Sequence, residues 1–298
     1  MKYNKTPLNS EQHLELLKSR GLIVNNEQRA IKYLENIGYF RLTGYMFHLQ
    51  SKDGNHTFLK SISFEDIIQI YQFDKKLKLL MIDYIERIEV AMRAQLSNNY
   101  STEYGFFWYA NKDLFQDKEQ FNQLNKFIKT SFARPQELFL KSFKKKYIEE
   151  SIPPSNMAME ILTLGKLSRL FSSLKNNEQK QAISKHFGLP SNIVASWLAY
   201  LTIIRNVSAH HSRLWNRTLL VAKPLIPKKR YKFKGQLPNN FNSSMYGVIS
   251  IIDRILQAIN KNNSFTDKVT DLIDSYPMID TQKMGFPKNW KTDATWRM

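Results

Sequence analysis

Between Arg205 and Arg217 the chain reads RNVSAHHSRLWNR, which sets Arg205, Arg213 and Arg217 around the adjacent His210 and His211. An imidazole titrates near neutrality and can exchange protons at working pH; a guanidinium clamps phosphate bidentately and stabilises added negative charge. The two together can cleave a phosphodiester. On RNA such a pair needs no metal, because the substrate supplies its own nucleophile in the 2′-hydroxyl, which DNA lacks.

A helix carried through this stretch at 100° per residue gathers Ile193, Trp197, Tyr200, Leu201, Ile204, Val207, Leu214 and Trp215 on one apolar sector, with His211 inside it. Asn206, His210, Arg213 and Arg217 fall within about 60° of one another on a different side, with Arg205 at its edge. The two histidines then point about 100° apart. This assigns His210 to chemistry and His211 to packing or a structural hydrogen bond. A histidine beside arginines is, taken singly, most often a solvated surface group; several cations beside it, opposite the core, favour the functional reading.

Composition agrees with a polyanionic partner. The 298 residues hold 44 Lys plus Arg against 26 Asp plus Glu, a net charge of 44 − 26 = +18, which points first to nucleic acid and second to an anionic membrane surface. With 42% hydrophobic residues the chain can build a core. Zero cysteines exclude disulfides, thiol nucleophiles and cysteine-ligated zinc. No His-Glu-x-x-His, Gly-x-Gly-x-x-Gly, P-loop or Gly-x-Ser-x-Gly pattern is present, so no metal and no cofactor is expected. The N-terminus has no apolar core of signal-peptide length, and the run IVASWLAYLTII is too short to span a bilayer. The expectation is a cytoplasmic protein with no membrane segment.

A second basic cluster, KPLIPKKRYKFK, carries Lys223, Lys228, Lys229, Arg230, Lys232 and Lys234 without an acid, interleaved by Tyr231 and Phe233. It could follow a phosphate backbone and stack on unpaired bases. Lys141–Tyr147, KSFKKKY, is a weaker copy. Glu89 precedes Arg93 by four residues, the favourable order for a helix ion pair, which reads as surface pairing. The functional alternative has Glu86 or Glu89 holding Arg205.

The elements that must position these groups are mainly α. Two short helices with glycine stops at Gly21 and Gly38 come first, then an irregular segment or small hairpin with a turn at Asp53-Gly54. Ser63 to about Ser101 holds neither Gly nor Pro and opens on a Ser-x-x-Asp capping box, predicting one long helix. Further helices are expected at 117–132, 135–150 and 156–174, then a short helix, a Gly188/Pro190 turn and a long helix starting near Ser191. A last helix is expected near 244–262. Short helix, turn and long helix have helix-turn-helix order, but the second opens on apolar residues, which disfavours DNA reading.

Arg205-Asn206-x-x-x-His210 resembles the R-x4-H signature of HEPN ribonucleases. The longer run SWLAYLTIIRNVSAHHSRLWNR is similar to the Abi-like (AbiD/AbiF-type) abortive-infection proteins of bacteria, as are GYFRLTGYMFHL and FDKKLKLLMIDYIERIEVAMR, in the same order. The resemblance, which reaches to about Val221, implies a HEPN-type helical bundle with a core over 61–222, preceded by a small N-terminal helical segment with a possible small hairpin over 1–60; the basic connector and C-terminal helix over 223–298 are read from the residues alone. It also implies a metal-independent endoribonuclease of a phage-defence or toxin system, with Arg205 and His210 as the catalytic pair and Asn206 as an orienting residue. Arg213, Arg217, Lys228, Lys229 and Arg230 are the expected RNA contacts. HEPN nucleases juxtapose two motifs. The other loose match, Arg41-x6-His48, runs through Thr43-Gly44, which argues against one regular helix, so a homodimer is expected. The alternative is a non-catalytic protein holding a structured small RNA; a bound small non-coding RNA or a protein antitoxin would equally restrain the activity.

Overall fold

The structure, a computed structural model, describes residues 2, 6–59, 61–221 and 223–295. Among them are twelve α-helices and no named strand; only isolated bridges occur, such as Gln50 with Phe58 and Phe115 with Leu174. The fold is mainly α. The chain divides into two units, Met1–Lys78 with Val269–Thr281, and Leu79–Lys268 with Gln282–Met298.

In the first unit, α1 (Ser10–Ser19) and α2 (Glu27–Ile37) start on the asparagine caps Asn9 and Asn26, whose side chains accept from Gln12 and Arg29 N–H groups. Gly21 adopts φ +88° after α1, where Leu22 N–H reaches the Leu17 carbonyl and Gly21 N–H the Lys18 carbonyl. Such a left-handed turn costs a residue without Cβ nothing. Helix α3 (Tyr39–Met46) follows, continued by a 3-10 turn at Phe47–Leu49. The expected irregular segment is thus helical in its first half, and Thr43-Gly44 lies inside a regular helix. Tyr45 and Met46 are buried there, so packing outweighs the poor helix propensity of glycine. A hairpin-like turn remains only beyond it, as the single Gln50–Phe58 bridge.

Helix α4 (Phe64–Tyr104) runs 41 residues. Its start is the expected capping box: Ser63 N–H donates to Asp66 at 2.8 Å and Asp66 N–H to Ser63 Oγ at 3.2 Å. Within the first unit, the Tyr45 hydroxyl donates to the buried Asp74 at 2.7 Å, and Lys78 pairs with the same carboxylate at 2.9 Å.

In the second unit come α5 (Lys118–Ala133), α6 (Leu138–Lys146), α7 (Ser155–Glu160), α8 (Leu164–Ser173), α9 (Glu178–His186) and α10 (Ser191–Ala209). The helix expected at 156–174 is broken in two at Ile161–Thr163. No Gly or Pro marks that break; the Leu162 carbonyl freed by it accepts from Arg93 Nη2 at 2.9 Å, a tertiary partner that sequence spacing does not display. Gly165 lets α8 approach α10, since a Cβ there would stand 3.2 Å from Thr202 Cγ2. Helix α11 (Met245–Ile259) is almost wholly buried, and α12 (Phe265–Asp274) follows it. The expected last helix is therefore not the last: SFTDKV repeats the Ser-x-x-Asp start, with Phe265, Val269 and Ile273 buried at helical spacing.

Among the described residues no single helix is long and apolar enough to cross a membrane. Helices α9 and α10 pass that test only as a pair, bent by 62°.

Candidate functional site

Helix α10 carries the site at its C-terminal end. Ile193, Trp197, Tyr200, Leu201 and Ile204 are buried, which is the expected apolar sector. Beyond Ala209, however, the chain is no longer helical, so the wheel cannot be continued to Arg217. His210 is the C-cap at φ −83° and ψ 11°, and His211 follows at φ +57°. Ser212 N–H donates to the Val207 carbonyl at 3.0 Å and His211 N–H to the Ser208 carbonyl at 3.1 Å. These two bonds form a Schellman closure. Helices α1 and α9 close the same way with Gly21 and Gly188 in the left-handed position; α10 puts His211 there.

This turn sets the directions of the two histidines. His211 is exposed, so of its two expected roles, packing or a structural hydrogen bond, the core packing is not realised: the left-handed residue swings it off the apolar sector. Leu214 and Trp215 are nonetheless buried, delivered to the core by the turn rather than by helical continuation. His210 is exposed, and among the described residues no hydrogen bond engages its ring. Its backbone N–H donates to the Asn206 carbonyl at 2.9 Å. Arg205 Nη1 donates to Asn206 Oδ1 at 3.4 Å. Arg205, Asn206 and His210 therefore share the last turn and cap of one rigid helix. Arg213 and Arg217 lie on the turn beyond it, where Arg217 Nη1 donates to the Arg213 carbonyl at 3.4 Å.

Behind Arg205 stands a buried ion-pair group that sequence spacing had read as surface pairing. Glu89 is 8% exposed and accepts from Arg93 Nη2 at 2.5 Å. Burial pushes the Glu89 carboxyl up, while the charges of Arg93 and then Arg205 pull it back down. Glu89 is thus close enough to feel Arg205, whereas Glu86 is exposed. Arg93 also reaches Glu160 at 3.9 Å. Sequence spacing shows Arg93 as the partner of Glu89 but not its contacts with Glu160 and the Leu162 carbonyl, because only the α7–α8 break brings these to α4.

The second basic cluster goes elsewhere. Lys228, Lys229 and Arg230 are exposed on and beside a 3-10 turn at Lys229–Tyr231. The preceding connector is pinned to α10, with Trp197 Nε1 donating to the Leu225 carbonyl and Leu225 N–H to Ser196 Oγ, both at 2.9 Å. Arg230 and Tyr231 border a cleft of about 920 Å³ beside Ser191 and Asn192 at the start of α10. At 1.5 Å per residue, that is about 20 Å from Arg205. Phe233 is not available to stack on bases: it is 4% exposed, between Trp197 and Phe241, because its apolar ring completes the core under the basic loop.

The family model for Abi-like protein matches residues 32–216, from α2 through the turn that follows α10. No curated protein and no solved structure matches the chain. The match takes in α4, α8 and α10 and ends one residue before Arg217, so the chain belongs to the Abi-like family, of the bacterial abortive-infection type.

Proposed function

We propose that the protein is a HEPN-type, metal-independent endoribonuclease of an abortive-infection or toxin system, of the AbiD/AbiF type. His210 relays protons between the 2′-hydroxyl and the leaving 5′-oxygen, and Arg205 stabilises the charge that builds on phosphorus. Asn206 orients the guanidinium. The observation that carries this reading is the helix end itself. It presents an imidazole to solvent one turn beyond an arginine that donates to Asn206. Arg213 and Arg217, on the adjoining turn, supply further phosphate contacts. The chain carries one Arg-x4-His motif, the Arg41-x6-His48 match differing in spacing, so the active species is a homodimer with the site at its two-fold axis.

A second reading is a non-catalytic RNA holder that grips a structured small RNA through the same basic face. The exposed cations Lys228, Lys229 and Arg230, about 20 Å along α10 from Arg205, favour it, since they extend phosphate contact well beyond a cleavage site. Incubating pure protein with end-labelled RNA in EDTA separates the two. Cleavage that disappears in Arg205→Ala and His210→Ala, with dimerisation and RNA binding retained, supports the nuclease. Tight binding by the wild-type protein without cleavage supports the holder.

A further inference from the structure

The cleft at the opposite end of α10 has a chemistry of its own. Its volume, about 920 Å³, falls in the range of small-molecule and cofactor sites. Three cations border it, Lys180, Lys185 and Arg230, and no carboxylate lines it among the described residues. A pocket so composed carries a positive potential that low-dielectric walls focus inward.

Lys180 is 5% exposed, with its ammonium donating to the Leu174 carbonyl at 2.7 Å and the Ser172 carbonyl at 3.3 Å. Its charge is therefore fixed in the wall, where water screens it little. Burial holds that ammonium down at about 8, so a nearby anion would favour its charged form. Lys185 and Arg230 are exposed, and can close on a ligand.

The remaining lining narrows the class of anion. The Arg230 guanidinium lies 4.8 Å over the Tyr231 ring and donates to its hydroxyl at 2.8 Å, which presets an aromatic and planar surface. Gln181 and Asn192 bring side-chain amides, each both donor and acceptor, able to address the edge of a base. The first N–H groups of α10 add donors, since Pro190 caps that helix without a side-chain hydrogen bond. Cations for a phosphate, a flat face for a ring and amides for its edge are the requirements of a nucleotide.

We propose that this cleft binds a nucleotide through its phosphate and base, at a site separate from Arg205 and His210. The ligand is a free mononucleotide or one nucleotide unit of an RNA strand. The test titrates a fluorescent ATP analogue and, separately, a labelled single-stranded six-nucleotide RNA into the full-length protein and into Arg230→Ala, Lys185→Ala and Tyr231→Ala. All three residues stand on exposed or half-exposed surface, and circular dichroism verifies folding.

About a tenfold weakening of the ATP analogue by each cation variant, with Tyr231→Ala also impaired, establishes a free-nucleotide site. The same pattern with the six-nucleotide RNA alone establishes a strand-binding subsite. Binding of neither probe by the wild-type protein, unchanged affinity of both across the three variants, or displacement by poly-glutamate as effective as by RNA would overturn the proposal.

Discussion

A 2.9 Å hydrogen bond runs from the His210 backbone N–H to the Asn206 carbonyl, and the Asn206 side chain in turn accepts from Arg205 at 3.4 Å. The candidate base and the candidate charge stabiliser are thus tied to one asparagine, through its backbone on one side and its amide on the other. Preorganisation of this kind on a helix holds groups more tightly than loop placement would.

The Glu89–Arg93 pair should be structural and should report on Arg205. Breaking a buried pair strands the remaining charge, so Glu89→Ala should lose about 3 kcal/mol in urea unfolding. Glu89→Gln, which keeps the shape and can still accept a hydrogen bond, should lose less while weakening any RNA cleavage that depends on Arg205 placement. Equal stability of Glu89→Ala and wild type would mean the pair contributes nothing.

His211 occupies a left-handed position that Gly21 and Gly188 fill in the equivalent turns. His211→Gly should therefore raise stability by about 0.5–1 kcal/mol, read as a higher melting temperature. It should also leave His210 in place, since the cap bonds are made by backbone. A drop in stability would mean that the His211 side chain holds the turn by more than the strain it introduces.

Asp253 on α11 is 1% exposed, and its Oδ2 has no hydrogen-bond partner among the described residues. Burial pushes its carboxyl up from 3.8 to about 6. The folded state then binds more protons than the unfolded one between those values, so this group's contribution to stability falls as pH rises from about 4 through 6. Asp253→Asn should accordingly stabilise at pH 7 by on the order of 2–3 kcal/mol and change little at pH 4. Thermal unfolding at the two pH values reads this directly; a gain independent of pH would contradict it.

Helical periodicity made most of the elements legible, because amphipathic spacing and caps are local: the Ser63–Asp66 box and the Gly188/Pro190 turn stand where the residues place them. The α7–α8 break was not legible, since its compensation is the distant Arg93 guanidinium. Arg205, Asn206 and His210 were readable as a group because they sit within six residues. Arg213 and Arg217 were placed on a helix that ends at Ala209, because a histidine, not a glycine, takes the left-handed turn and leaves no breaker in the sequence. Glu89 was readable as a partner of Arg93 or, with Glu86, as a candidate holder of Arg205; its burial depends on packing and was not.

The most direct measurement of the central claim is the end chemistry of RNA fragments produced by the wild-type protein in EDTA. The fragments should carry 2′,3′-cyclic phosphate and 5′-hydroxyl ends, with no cleavage where the scissile nucleotide is 2′-deoxy and no fragments with Arg205→Ala or His210→Ala. Fragments carrying 3′-hydroxyl ends, cleavage unaffected by a 2′-deoxy substitution, or full activity in His210→Ala would contradict it.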